Sequence, residues 1–209
     1  MINEESKEKN NQTFTMMLRK LLSEPLNRFG AALHGWGVTA NMITAVGLIG
    51  GFVGSFLAAM GHLLAGGIVI GAMGALDALD GAVARASGEV KPFGAFLDSV
   101  SDRYSELAIY AALSWYFSSA QNSLGVLLSF LAMGGSVLVS YTRARAEGLG
   151  METKVGILTR VERMIVIVPS MILGFPLVGV GIVAVLANIT ALQRIVHVWQ
   201  QTKDLGEGE

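Results

Sequence analysis

An apolar chain that carries four aspartates between residues 77 and 102 can fold in few ways. The segment reads DALDGAVARASGEVKPFGAFLDSVSD and lies inside or at the edge of stretches otherwise rich in Leu, Ile, Val, Ala and Gly. Asp77 and Asp80 are three residues apart, and Asp98 and Asp102 are four apart. On helices, each pair shares one face. Four uncompensated carboxylates at the middle of a bilayer would cost on the order of 10 kcal/mol on insertion scales. The fold must therefore supply a strong compensating charge, and a pair of divalent cations would do so.

The bilayer itself follows from composition. Of 209 residues, 52% are hydrophobic and only 15% are charged, which is the balance of an integral membrane protein. The formal net charge of −1 gives no bulk attraction for nucleic acid. With no cysteine, disulfides and thiolate metal sites are excluded. A span needs about 20 apolar residues, and six segments are predicted to cross, at 39–60, 63–86, 93–118, 122–147, 157–174 and 176–200. Gly61-His62, Ser118 to Asn122 and Gly174-Phe175-Pro176 are the expected far-side turns. The expected organisation is a polar tail at 1–13, an amphipathic juxtamembrane helix at 14–37, a six-helix domain at 38–202 and a short tail at 203–209. The juxtamembrane stretch mixes Leu, Met and Phe with Arg and Lys, as an interfacial helix does; Pro25 either interrupts it or opens a second short helix capped by Ser23.

Charge placement fixes the expected orientation. All 15 Lys and Arg fall on one side of the six spans or in the half-spans facing it. The positive-inside rule then puts both termini and the aspartates on the cytoplasmic side of a cell membrane. The second span descends towards Asp77 and Asp80, and the third starts near Asp98 and Asp102. Oxygen-only ligands select hard cations such as Mg²⁺, Mn²⁺ or Ca²⁺. Four carboxylates on two antiparallel helices can bridge two ions about 4 Å apart, a spacing suited to phosphoryl chemistry. A single intramembrane aspartate is often an arginine's structural partner. Here only Arg85, Lys91 and Arg103 are near in sequence, too few to pair each acid. A divalent-cation transporter is the reading from another class. It is poorly served, because only Glu106 lies about a turn deeper and no further acid continues a path.

The full spacing is Asp77-x2-Asp80-Gly81-x2-Ala84-Arg85-x8-Gly94-x3-Asp98-x3-Asp102. It resembles, at every fixed position, the signature of the CDP-alcohol phosphotransferases. The resemblance extends to the six-span layout and the amphipathic N-terminal helix. It implies transfer of a phosphoalcohol group from a CDP-linked lipid, such as CDP-diacylglycerol, to an acceptor hydroxyl with release of CMP. By the same resemblance, Asp77, Asp80, Asp98 and Asp102 would ligate two ions of Mg²⁺ or Mn²⁺, and Asp102 would also act as general base. Asp80, Gly81, Arg85 and Lys91 would contact the CDP-lipid. The opening of the first span, Thr39-Ala40-Asn41-Met42-Ile43-Thr44, resembles the family's first-helix start, with Ala40 where the family usually has Pro. Asn41, Met42 and Ile43 are further donor contacts on this reading, and Asn41 is equally a helix cap.

A second basic cluster bears on the acceptor. Residues 140–163 read SYTRARAEGLGMETKVGILTRVER, and Arg143, Arg145, Lys154, Arg160 and Arg163 form a convergent cationic set. The plain alternative is positive-inside anchoring, with Glu147 and Glu162 orienting the arginines. Guanidinium forks suit the oxygens of a phosphate, so a phosphorylated polyol is the expected acceptor. FGAFLDSVSDR, SYTRARAE and TRVER together resemble the phosphatidylinositol-phosphate synthase branch and its archaetidylinositol-phosphate counterpart. The rival within the family is phosphatidylglycerophosphate synthase, which uses glycerol 3-phosphate. The small-residue run AVGLIGGFVG in the first span suits close helix packing, within the chain or in the homodimer that the family resemblance implies.

Overall fold

The structure is a computed structural model. It describes residues 28–86, 92–153, 155–204 and 206, and for Ala78, Asp80, Arg85, Ala86 and Asp204 the backbone alone. All regular structure among these residues is α-helical. A short helix α1 occupies residues 28–35. It is followed by α2 (Ala40–Ala59), α3 (Leu63–Ala86), α4 (Pro92–Ser119), α5 (Ser123–Glu147), α6 (Arg160–Ile172) and α7 (Pro176–Asp204). The expected tail at 1–13, the first part of the juxtamembrane helix and residues 207–209 lie outside the described residues.

Local chemistry sets these boundaries. The Thr39 hydroxyl accepts the Met42 N–H at 3.3 Å and starts α2. Gly61, at φ 89°, makes the turn into α3. Pro92 and Pro176 occupy the first helical positions of α4 and α7, where a missing N–H costs nothing. Asn122 caps α5 by accepting from Gly125 N at 2.9 Å. At the start of α6, Thr159 and Glu162 form a reciprocal capping box. That box explains the one expected span that differs clearly in length. Residues 157–159 run into the cap rather than into the helix, so α6 has 13 residues, about 20 Å at 1.5 Å per residue. It also contains Pro169, which removes one backbone bond.

Four helices (α2, α3, α5 and α7) are long and apolar enough to cross a membrane. Of the other two, α6 is short, and α4 carries Asp98, Asp102, Arg103 and Glu106 in its first half. The apolar faces of the spans are open. Val46, Ile49, Phe52, Val53 and Phe56 on α2 are each at least 45% exposed. A contiguous apolar face of this size belongs in hydrocarbon rather than in water.

The chain divides into two compact units, residues 1–47 with 75–99, and residues 48–74 with 100–209. In the first, α1 lies against the end of α3. A Cβ on Gly30 would stand 2.8 Å from the Ala82 carbonyl carbon, so only glycine allows the contact. Ile43, Thr44, Ala82 and Val83 are buried there. The second unit holds the main core, with Tyr110, Leu113, Phe117, Ile167, Met171, Val180 and Val183 among its members. Within it, α7 packs on both α5 and α6.

The glycine run of α2 is used inside the chain. A Cβ on Gly54 would meet Ile70 Cγ1 at 2.7 Å and the Gly66 carbonyl at 3.0 Å, and one on Gly66 would meet the Gly54 carbonyl at 2.6 Å. Such close approach is how helices associate in lipid, where burial of apolar area supplies no net drive. Gly66→Leu is therefore expected to destabilise the protein by about 1–3 kcal/mol, the usual cost of overpacking. Gly134→Ala, where a Cβ meets nothing within 4 Å, should leave stability unchanged or slightly raised. Thermal melts of both variants in detergent check the pair of outcomes.

Candidate functional site

Helix periodicity brings the acids together. Asp77 sits on α3, and Asp98 and Asp102 follow each other by one turn on α4. One carboxylate oxygen from each of Asp77, Asp98 and Asp102 lies within 4.8 Å of the other two. Carboxylates held this close repel one another. The cluster therefore calls for cations. Its donors are all hard oxygens, so the residues fit a divalent metal ion of the Mg²⁺ or Mn²⁺ class. The Asp80 backbone lies one turn beyond Asp77 on the same helix, and its side chain is outside the described set.

Protein cations also reach the cluster. Arg160 Nη2 is 2.8 Å from Asp102 Oδ1, and Arg103 Nη1 is 3.4 Å from Asp102 Oδ2. Arg160 is the first residue of α6, delivered by the Thr159 cap. Asp102 is nearly buried, at 9% exposure.

One helical turn deeper stands a second acid–arginine pair. Glu106 and Arg163 are 4% and 1% exposed. Arg163 Nε and Nη2 bond the two Glu106 oxygens at 2.5 and 2.9 Å, and Nη1 donates to the Leu158 carbonyl at 3.2 Å. All three guanidinium nitrogens are engaged. Removing either partner of such a buried pair costs about 3–5 kcal/mol, because the other charge is left uncompensated. Arg163, expected at an acceptor phosphate, here turns its fork to Glu106.

The remaining expected residues divide. Asn41 is not the cap of α2, since Thr39 performs that role. Instead its side chain stands beside Gly94, with Asn41 Oδ1 3.3 Å from where a Gly94 Cβ would be. Met42 is 54% exposed, whereas Ile43 is 6% exposed and packs inward. Gly81 is on α3, as is Arg85, whose side chain is not described; Lys91 and Lys154 lie outside the described residues. Arg143 and Arg145 are exposed at the end of α5. Arg143 pairs with Glu147 at 2.8 Å, an exposed i,i+4 contact worth about 0.3–0.5 kcal/mol. Glu162 accepts the Thr159 N–H.

Two structural contributors beside the site escaped the sequence reading. One is the Glu106–Arg163 pair. Its signal was present, since Asp102 and Glu106 repeat at four residues while Arg160 and Arg163 repeat at three. The other is Arg194 of α7, 4% exposed, which donates to the Val139 carbonyl of α5 at 2.5 Å and to the Val155 carbonyl at 3.0 Å. With Leu158 N donating to Thr190 Oγ1 at 3.1 Å and Gln201 Nε2 to the Glu152 carbonyl at 2.8 Å, it ties the α5–α6 connection to α7.

Comparison with known proteins shows the family. Residues 37–199 match the CDP-alcohol phosphatidyltransferase family. Archaetidylinositol phosphate synthase of Pyrococcus horikoshii is 37% identical over 183 residues, covering 85% of this chain and 93% of the relative. The crystal structure of Mycobacterium tuberculosis phosphatidylinositol phosphate synthase with CDP-DAG bound superposes with a TM-score of 0.77 at 31% identity, covering 83% of this chain and 93% of that one. The same enzyme in complex with manganese and citrate gives a TM-score of 0.78 at 31% identity, over 83% and 88% of the two chains. The chain is a membrane enzyme of the CDP-alcohol phosphatidyltransferase family.

Proposed function

We propose that the protein transfers a phosphatidyl or archaetidyl group from a CDP-lipid such as CDP-diacylglycerol to a hydroxyl of inositol phosphate, releasing CMP. The observation that carries this reading is the position of Arg160, within 2.8 Å of Asp102 at the edge of a three-aspartate cluster. It sets a phosphate-binding cation beside the groups that handle a diphosphate. Both solved structures compared above, one with CDP-DAG and one with manganese, support a CDP-lipid donor and a divalent ion for this chain.

Asp77, Asp80, Asp98 and Asp102 would hold two ions of Mg²⁺ or Mn²⁺, which supply charge neutralisation of the diphosphate and polarisation of its phosphorus. The chain's residues do the rest. Asp102 accepts the proton of the acceptor hydroxyl as that oxygen bonds to the β-phosphorus. The bond from this phosphorus to the CMP oxygen breaks, and CMP leaves with the electron pair. Arg160, with Arg143, Arg145 and Lys154, holds the acceptor phosphate. Asn41, Met42, Gly81, Arg85 and Lys91 line the donor's nucleotide and diphosphate, and Ile43 supports them from the packed side. Six spans, cytoplasmic termini and site, a homodimer and a cell-membrane location complete the reading, supported by charge placement and family resemblance.

Purified protein with CDP-diacylglycerol, Mg²⁺ and inositol 1-phosphate is expected to release CMP, and chelation by EDTA to stop it. Release with glycerol 3-phosphate but not with inositol 1-phosphate would overturn the acceptor. Asp102→Asn should abolish turnover while sparing CDP-lipid binding. Arg160→Gln should raise the KM for inositol phosphate about 10- to 100-fold, the worth of a charge-assisted hydrogen bond, with the donor KM little changed.

Orientation has its own check, because the chain has no cysteine. Single cysteines at His62 and Gln121 should react with an impermeant maleimide from outside intact cells. Cysteines at Gly150 and Lys203 should react only after permeabilisation.

A further inference from the structure

We infer that the buried Glu106–Arg163 pair is a positioning device that holds α6 in register on α4, so that Arg160 meets Asp102. The inference rests on the proposed role of Arg160 towards the acceptor phosphate. It assigns Arg163 to placing that residue, not to touching the ligand.

Asp102 and Glu106 are one turn apart on α4, and Arg160 and Arg163 are one turn apart on α6. The two ion pairs are therefore successive rungs between the same two helices. The outer rung is partly open, with the Arg160 side chain 27% exposed. The inner rung is closed, with its two side chains 1% and 5% exposed. A single hydrogen bond fixes a distance, whereas the bidentate fork of Arg163 fixes orientation as well. Sliding α6 by one residue would shift it by about 1.5 Å and turn it by about 100°. That would carry Arg160 off the acid cluster.

The inner rung is braced on every side. The Tyr110 hydroxyl donates to Glu106 at 3.4 Å, and the Ser136 hydroxyl on α5 donates to Tyr110 at 3.3 Å. Arg163 Nη1 holds the Leu158 carbonyl, and the Leu158 N–H is held by Thr190 of α7. Residue 158 precedes Arg160 and residue 163 follows it, so Arg163 grips the chain on both sides of the working arginine. The helix that needs this grip is the shortest of the six long ones and contains a proline. Buried ion pairs are weak evidence for stability, since apolar pairs of similar volume serve as well. Fixing register is their best-attested use.

The test is a double-mutant cycle. The pair is replaced by Glu106→Leu with Arg163→Met, in the wild-type chain and in Arg160→Gln. The dissociation constant for inositol 1-phosphate is measured by calorimetry beside the KM for CDP-diacylglycerol. The expected result is a loss of at least tenfold in inositol phosphate affinity in the wild-type background and less than twofold in Arg160→Gln. The donor KM should stay within twofold throughout. Equal losses in both backgrounds, or unchanged affinity in the first, would overturn the inference. Should the apolar pair not fold, Glu106→Gln and Arg163→Lys enter the same cycle with the same criteria. If the wild-type protein neither binds nor uses inositol phosphate, the acceptor reading fails. The cycle is then run with inorganic phosphate, which tests the placement of Arg160 alone.

Discussion

Charge inside an apolar slab must be answered locally, and this requirement organises the second unit of the protein. α4 brings Asp102 and Glu106 into the packed helices, and α6 brings Arg160 and Arg163 to meet them. These are the two long helices that are too charged or too short to pass as simple spans. The coincidence has a physical cause. A helix loaded with carboxylates is unfavourable against lipid, so it must be surrounded by protein that returns the charge. A 13-residue helix with an internal proline has little intrinsic persistence. Each supplies what the other lacks.

The remaining helices are held by different means. Between α2 and α3 the contact is backbone against backbone at Gly54 and Gly66. Between α5 and α7 it is Gly135 against Asn188, whose amide donates to the Leu131 carbonyl at 3.1 Å. Small residues and amide hydrogen bonds are the means of association that lipid leaves available. They set distances without setting charge. The site is then built where this neutral packing gives way to ion pairs.

The helix ends were legible because their signals are local: Pro92, Pro176, Gly61 and Asn122 each act within a turn. The aspartate cluster was legible for a related reason, since fixed spacing on two helices determines which carboxylates share a face. The Thr159–Glu162 box was equally local, and noticing it would have shortened the fifth span. What sequence could not separate was Arg160 from Arg163. Three residues apart, they point to one side of one helix, and only depth among the packed helices distinguishes a residue facing the site from one facing Glu106. Arg194 was hidden for another reason. Its acceptors are backbone carbonyls at residues 139 and 155, and a carbonyl has no sequence signature. Thr39 and Asn41 competed for one cap, and the choice depended on where α2 begins.

Arginine rather than lysine at 163 follows from this geometry. A lysine ammonium is a point charge on a flexible stem and would accept many orientations about Glu106. The planar guanidinium presents two parallel donors to one carboxylate and a third, on its other side, to Leu158. Three directions are then fixed by one side chain, and each belongs to a different part of the fold: α4, α6 itself and the segment leading into it. Arg194 has the same character, tying α5 and the α5–α6 connection to α7 from a single buried position. The cations that the positive-inside pattern groups together thus divide by burial. Those at 1–4% exposure have their donors turned to protein oxygens and set the frame. Arg160, partly exposed, keeps its guanidinium at Asp102, on the edge of the carboxylate cluster.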